Sequence, residues 1–191
     1  MENKPLIIGI TGAFGSGKST AADFLESLGF RKIILSSFLE EEAKKRGIKE
    51  ITRKILQDIG DEWRKKSGTD VLAKKAGELL KKERIKLAII DGIRNVGEID
   101  ELRKDQGFVL LAIIADRKVR FDRLSKLKRR ESLTWDLFTK LDRRDLGLGQ
   151  RKTGLHVAEC IALADYFIDN NHGIDEFYNK LKKFSKNIKE I

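Results

Sequence analysis

The sequence predicts an α/β domain in which helices cover both faces of a five-stranded parallel sheet. Short apolar runs alternate with helical patterns along the chain, which is the signature of this class. Strands buried on both faces read as continuous apolar runs, and five such runs occur. They cover residues 6–10, 31–35, 86–91, 109–114 and 166–169. A chain of 191 residues has the size of one domain, so residues 1–191 are expected to form a single unit.

Helical periodicity fills the segments between these runs. The predicted helices cover residues 17–28, 37–46, 50–66, 69–83, 95–105, 117–130, 134–145, 154–163 and 174–188. Gly29 and Gly47 end the first two, as glycine commonly does just past a helix. Asn95, with Glu98 three residues later, indicates a capping box at the start of the fifth. Such strand–helix–strand units make right-handed crossovers, and their sheets bind ligands at the carboxyl ends of the strands.

Composition excludes several classes of protein. Hydrophobic residues make up 40% of the chain and charged residues 37%, which is typical of a folded domain and not of a disordered chain. The longest apolar runs have strand length, so neither a membrane span nor a signal peptide is expected. The single cysteine, Cys160, lies in an apolar helical pattern, which favours a core position in a reducing compartment. These observations predict a cytoplasmic protein.

The formal net charge of +10 is compatible with nucleic acid, an anionic small substrate or simply a charged surface. Many lysines fall on presumed helix faces and in the C-terminal tail, which favours a solvated surface. Nucleic acid is therefore not expected as a partner, and the sequence carries no signal for an oligomeric state. His156 and His172 lack neighbours at metal-ligand spacing, so no role is expected for them.

The segment from Gly12 to Ser19 fits the phosphate-binding pattern G-x-x-x-x-G-K-[ST], and it stands between a strand-like run and an amphipathic helix, as the pattern requires. Its glycines let backbone N–H groups converge on phosphate oxygens, and the helix N-terminus adds its positive end. Lys18 is expected to reach the β and γ phosphates of ATP, and the Ser19 hydroxyl to ligate Mg²⁺. The expected nucleotide-binding set is Gly12, Ala13, Phe14, Gly15, Ser16, Gly17, Lys18, Ser19 and Thr20.

The third strand ends in an acid, Asp91. An acid at this position lies beside the phosphate loop and can hold Mg²⁺ or its water. Gly92 follows it, whereas many ATPases that drive motion place there a glutamate that activates water. Arg94 suits a bidentate grip on an anionic acceptor. The pattern favours phosphoryl transfer over hydrolysis.

Arginines are concentrated around the predicted sixth and seventh helices. Arg117, Arg120, Arg123 and Arg130 are spaced to share one helix face, and Arg129, Arg130, Arg143 and Arg144 surround an apolar patch with Trp135 and Phe138. Phosphoryl transfer needs positive charge on the transferring group and exclusion of water. We therefore predict a helical lid over about residues 125–145. The arginines expected to act in catalysis are Arg123, just before this lid, and Arg130, Arg143 and Arg144 within it.

An insertion of about residues 36–84, between the second and third strands, is predicted to bind the acceptor. Gln57, Asp61 and Arg64 are spaced to share one helix face. A glutamine there could recognise an amide-bearing base, and an arginine its phosphate. The predicted acceptor-binding residues are Ser36, Gln57, Arg64 and Arg94.

Together, the loop GAFGSGKST, the DGIR segment and the later RRD segment resemble the nucleotide-kinase branch of P-loop proteins, which includes adenylate kinase, dephospho-CoA kinase and phage-type deoxynucleoside monophosphate kinases. The resemblance spans most of the chain and implies a three-layer P-loop NTPase fold, ATP, Mg²⁺ and a small nucleotide substrate. By the adenylate kinase pattern, Asp91 lies near Mg²⁺ and Arg94 binds acceptor phosphate. Gln57 and Arg64 match the acceptor residues of phage-type kinases. The tail from residue 146 is similar to archaeal kinase-like proteins.

One departure from the family concerns the acceptor. Nucleoside monophosphate kinases often carry a G-D-x-x-R-like segment after strand two, but here Glu40 stands where the arginine would be. Either Arg64 and Arg94 bind the acceptor phosphate, or the acceptor is not a simple monophosphate. A (deoxy)nucleoside monophosphate is the first expectation and dephospho-CoA the alternative.

An alternative from another class is a P-loop ATPase or regulator that binds nucleic acid. The missing glutamate after Asp91 argues against it. A GTPase is disfavoured because no Asn-Lys-x-Asp segment occurs.

Overall fold

The central strand of the molecule is β1 (Leu6–Thr11). A computed structural model describes residues 5–105, 107–127, 133–151 and 153–188, apart from the side chain of Arg53. The other strands are β2 (Arg31–Ile34), β3 (Leu87–Asp91), β4 (Phe108–Ile114) and β5 (Tyr166–Asp169). They form one sheet in the order β2-β3-β1-β4-β5, in which every neighbouring pair is parallel. The predicted five-stranded parallel sheet is confirmed.

The helices follow the predicted order, with ends that shift by a few residues. They are α1 (Lys18–Ser27), α2 (Leu35–Lys45), α3 (Arg53–Ser67), α4 (Val71–Lys82), α5 (Val96–Leu102), α6 (Arg117–Lys126), α7 (Trp135–Leu146), α8 (Val157–Ala162) and α9 (Ile174–Asn187). Helices α2 to α4 lie between β2 and β3, in the predicted insertion. Within the predicted lid, residues 128–132 lie outside the described residues, and the lid as a whole stays a prediction.

Two apolar cores lie on opposite faces of the sheet. Neighbouring strand residues alternate between them, so Ile7 and Ile90 pack into one core, whereas Ile8 and Ile89 pack into the other. Helices α2, α3, α4, α5 and α8 cover the first face, and α1 and α9 cover the second. This three-layer arrangement explains why the strands read as continuous apolar runs. Cys160 is fully buried in the first core, and burial raises the pKa of its thiol.

Helix α4 ends in a strained residue. Arg84 has φ 54, the left-handed conformation that favours glycine. Its N–H donates to the Lys81 carbonyl, and the Ile85 N–H donates to the Leu80 carbonyl, which together form a Schellman motif. The Schellman motif therefore requires a positive φ at Arg84, a conformation that is sterically unfavourable for arginine.

We expect Arg84→Gly to raise the free energy of unfolding by roughly 0.5–1 kcal/mol, because glycine adopts positive φ without steric cost. Urea denaturation measures the change. The control is Glu83→Gly, one residue earlier, where φ is −89 and glycine should destabilise. A lower stability for Arg84→Gly than for the wild type would contradict the strain argument.

Candidate functional site

The loop between β1 and α1, where the sequence predicts phosphate binding, takes backbone conformations that require glycine. Gly12, Gly15 and Gly17 all have positive φ, at 147, 82 and 103. A Cβ on Gly12 would lie 2.3 Å from the carbonyl oxygen of Ile113, and one on Gly17 would lie 2.3 Å from Nδ2 of Asn170. The glycines predicted for phosphate contact therefore also allow the loop to pack tightly against the ends of β4 and β5.

Lys18 begins α1, and its side chain turns back over this loop. Its ammonium group donates to the carbonyls of Gly12, at 2.7 Å, and Ala13, at 3.1 Å. Asp91 ends β3 in register with Ile10 of the neighbouring strand, and it is 8% exposed. Burial raises the pKa of the Asp91 carboxyl, while the nearby charges of Lys18 and Arg94 act to lower it. The charge of Lys18 on the loop thus interacts with the carboxyl of Asp91.

The residues present are of the types that bind magnesium with a nucleotide. Ser19 offers a hydroxyl and Asp91 a carboxylate, and both are the hard oxygen ligands that Mg²⁺ prefers. In the part of the chain that the structure describes, no group of three or more His, Cys, Asp or Glu residues could hold a metal ion.

The segment after β3 is bonded firmly to the central strand. The Ile93 N–H donates to the Ile10 carbonyl at 3.2 Å, and the Thr11 hydroxyl donates to the Ile93 carbonyl at 3.0 Å. Ile93 and Thr11 are both fully buried. Asp91 and Arg94 are therefore held in a fixed relation to the phosphate loop that follows β1.

Arg94 leads into α5, whose predicted capping box at Asn95 and Glu98 is confirmed. The backbone N–H groups of Arg94 and Asn95 both donate to the Glu98 carboxylate, at 2.8 and 3.1 Å. Burial raises the pKa of Glu98, and these hydrogen bonds oppose the shift. The Arg94 carbonyl accepts from the His156 N–H at 2.8 Å. The Arg94 side chain is 35% exposed, and its Nη1 lies 4.0 Å from Oδ1 of Asp145.

Arg64 differs from the exposed acceptor residue that the spacing in α3 suggests. Its side chain is 4% exposed, and Nη2 donates to Oδ1 of Asp61 at 2.6 Å. Its Nε donates to the carbonyl of Thr153, in the segment between α7 and α8. Helix spacing could not reveal this burial, because the covering residue lies 89 positions away in the chain.

The other predicted acceptor residues lie on the insertion. Ser36 is half-buried in the first turn of α2, close to Glu40 on the same helix, and Gln57 is half-buried on α3. Their hydroxyl and amide groups can serve as hydrogen-bond donors and acceptors for an uncharged part of a ligand.

Arg120 is buried, which its spacing along the helix did not indicate. It is 3% exposed, and its guanidinium donates to the carbonyls of Phe14, in the phosphate loop, and Ala115, both at 3.0 Å. It also pairs with the fully buried carboxylate of Asp142 on α7. Arg117 reaches the same carboxylate at 3.1 Å. This buried pair joins α6, α7 and the phosphate loop.

The predicted lid arginines take different positions. Arg123 donates to Oδ1 of Asn170 at 3.2 Å and to the carbonyl of His172 at 3.3 Å, beside the phosphate loop. Arg143 is exposed and Arg144 half-buried. Arg130 lies outside the described residues.

The inner face of α7 carries Phe138, Asp142 and Asp145, all buried, and not the arginines between them. Sequence reasoning missed these two acids and Asn170. The signal for the acids was their spacing from Phe138, because residues four and seven apart share a helix face. The signal for Asn170 was a turn-forming residue directly after a predicted strand.

A family model described as an AAA domain matches residues 8–144. The chain is 33% identical over 192 residues to a UPF0200/UPF0201 protein of Archaeoglobus fulgidus, which covers 95% of this chain. The chain spans only 57% of the length of that longer relative. It is 35% identical to a UPF0200 protein of Sulfurisphaera tokodaii, with 95% of this chain and 97% of that protein covered.

Solved structures with this fold include TT1252 from Thermus thermophilus, at TM-score 0.62 and 23% identity, covering 96% of this chain and 98% of that chain. Dephospho-CoA kinase from Campylobacter jejuni aligns at TM-score 0.53 and 17% identity, covering 95% and 96%. At these identities the likeness concerns the fold alone.

The resemblance to P-loop kinases is confirmed at the level of the fold. No helix in the described ranges is long and apolar enough to cross a membrane. Since the AAA-domain match covers most of the chain and the relatives align along nearly all of it, the protein is an AAA-domain P-loop protein of the UPF0200 family.

Proposed function

We propose that this protein is an ATP-dependent kinase that transfers a phosphoryl group to a small phosphorylated acceptor. The observation that carries the proposal is the arrangement around β1: the Lys18 ammonium turns back onto the Gly12 carbonyl of the loop that follows this strand, and Asp91 ends β3 in register with Ile10. A lysine of the phosphate-binding motif and an acid at the end of the neighbouring strand, with Arg94 three residues further on, suit a reaction that brings two phosphates together.

On the donor side, the loop amides and Lys18 would hold the triphosphate of ATP, and Ser19 and Asp91 would hold Mg²⁺. The chemistry that Mg²⁺ supplies when bound is neutralisation of charge on the phosphates. Gly92 supplies no side chain that could activate water, which supports transfer over hydrolysis. Arg123, beside the loop, would add positive charge from α6.

On the acceptor side, Arg94 is the best candidate for binding the acceptor phosphate. The Arg94 side chain is 35% exposed, whereas the Arg64 side chain is 4% exposed and bonded to Asp61 and Thr153. Gln57 and Ser36 would contact the rest of the acceptor. A (deoxy)nucleoside monophosphate is the first candidate, and Glu40, standing where such kinases often carry arginine, keeps dephospho-CoA as the second.

A panel of acceptors tests this proposal. The purified protein is incubated with ATP and Mg²⁺ and each ribo- and deoxyribonucleoside monophosphate or dephospho-CoA, and ADP release is followed. We expect one class of acceptor to raise ADP release far above the acceptor-free rate. Stimulation by none of them would refute the kinase proposal. Stimulation by DNA or RNA that weakens steeply with salt would favour the nucleic-acid-binding ATPase instead.

For the acceptor that responds, Arg94→Ala should raise its KM about 10- to 100-fold, because a charge-assisted hydrogen bond to phosphate contributes roughly 1.5–3 kcal/mol. The KM for ATP should change little. The matched control is Arg103→Ala, on a surface arginine at the end of α5 that pairs with Asp165. An unchanged acceptor KM in Arg94→Ala would remove this residue from the site.

A further inference from the structure

Asn170, just after β5, is a buried amide that connects two parts of the candidate site. It is 6% exposed, and its backbone N–H donates to the carbonyl of Ile114 at the end of β4. Its side-chain Nδ2 donates to the carbonyl of Ser16 in the phosphate loop at 2.9 Å. Its Oδ1 accepts from Nη2 of Arg123 at 3.2 Å. The Asn170 side-chain amide therefore donates to the phosphate loop through its nitrogen and accepts from α6 through its oxygen.

The contact with the phosphate loop sets the direction of a peptide group. The carbonyl of Ser16 and the N–H of Gly17 belong to the same peptide, and no peptide bond in the described residues is cis. In a trans peptide these two groups point in opposite directions. Because Asn170 holds the carbonyl on its own side, the Gly17 N–H must point to the other side.

The fit at this contact is tight. Gly17 has φ 103, and a Cβ there would lie 2.3 Å from Nδ2 of Asn170. The space that the missing side chain leaves is thus filled by the asparagine amide. Position 17 therefore needs glycine for two reasons, which are its positive φ and the close approach of the Asn170 amide.

The hydrogen bond from Arg123 links Asn170 to helix α6. Arg123 also donates to the carbonyl of His172, so the turn after β5 supplies both of its described acceptors. Its Nη1 is buried and has no hydrogen-bond partner among the described residues. Through Asn170, this guanidinium keeps a fixed position relative to the loop.

We propose that Asn170 is a positioning residue, which holds the Ser16–Gly17 peptide in the orientation that binds phosphate and fixes Arg123 beside it. The nucleotide part of this inference rests on the proposed kinase function, whereas the part that concerns the loop itself does not. The experiment therefore has one measurement without a ligand and one with ADP.

The first measurement is amide hydrogen exchange of the ligand-free protein. Asn170→Asp is nearly isosteric and can still pair with Arg123, but it cannot donate to the Ser16 carbonyl. We expect faster exchange of the amides of residues 15–19 in Asn170→Asp and in Asn170→Ala, with unchanged exchange in β4. The control is Asn171→Ala, the next residue, which bonds to Asp116 and not to the phosphate loop. Wild-type exchange at residues 15–19 in Asn170→Asp would overturn the proposal.

The second measurement is the Kd for Mg²⁺-ADP by calorimetry. Asn170→Ala removes the donor without adding a charge beside the loop, and it should raise this Kd about tenfold, which is the loss of about one well-formed hydrogen bond. Arg123→Ala should raise it less in the Asn170→Ala background than in the wild type, because the two residues act together. Independent effects of the two substitutions would overturn the link between them. Absence of ADP binding by the wild type, together with altered loop exchange, would refute the kinase function and leave the positioning role of Asn170 intact.

Discussion

Replacing Lys18 by alanine should lower phosphoryl transfer by about 10³-fold or more while leaving the protein folded. The ammonium group of Lys18 is held over the loop by the Gly12 and Ala13 carbonyls. Phosphoryl transfer relies on positioned positive charge more than on covalent chemistry, so losing this group removes stabilisation of the transferring phosphate. The rate of ADP release with the responding acceptor measures the loss.

The control for this substitution is Lys104→Ala, which removes an exposed lysine just after α5 that pairs with Glu101. Thermal unfolding should show both variants folded. Lys18→Arg should not restore activity, because a planar guanidinium does not replace a compact ammonium in a fitted loop. Near-normal turnover in Lys18→Ala would refute the donor assignment.

Asp142→Ala should lower the free energy of unfolding by about 3–5 kcal/mol, because it leaves the buried guanidinium of Arg120 without a counter-charge. Asp142 is fully buried and Arg120 is 3% exposed, so water cannot compensate. Arg120 also holds the Phe14 carbonyl, and we therefore expect weaker nucleotide binding as a second consequence. Urea denaturation measures the first effect.

The matched control is Asp122→Ala, on an exposed acid of α6, which should change stability by less than about 0.5 kcal/mol. Replacing both members of the pair, as Arg120→Met with Asp142→Leu, should recover much of the loss, since no unpaired charge then remains buried. A loss below about 1 kcal/mol in Asp142→Ala would show that the buried pair contributes little to the fold.

The arginines illustrate how far helix spacing can predict a site. Arg94 was predicted from its place after Asp91, and the structure presents it partly exposed on a segment bonded to β1. Arg64 and Arg120 have equally suggestive spacings, but they are buried against carbonyls of residues 153 and 14. Whether an arginine is free for a ligand depends on what covers it, and the covering segments are far away in the chain.

Local pattern by itself determined the layers of the fold and the phosphate-binding motif on which the proposed donor site rests. Continuous apolar runs, capping residues and the glycine-lysine-serine motif act over a few neighbouring residues, so they can be recognised without knowing the fold. The roles of Asn170, Asp142 and Asp145 were decided only by tertiary packing, because each contacts a partner on another element. A loop that binds phosphate is a local structure, but what orients it and what faces it are set where the ends of distant strands and helices meet.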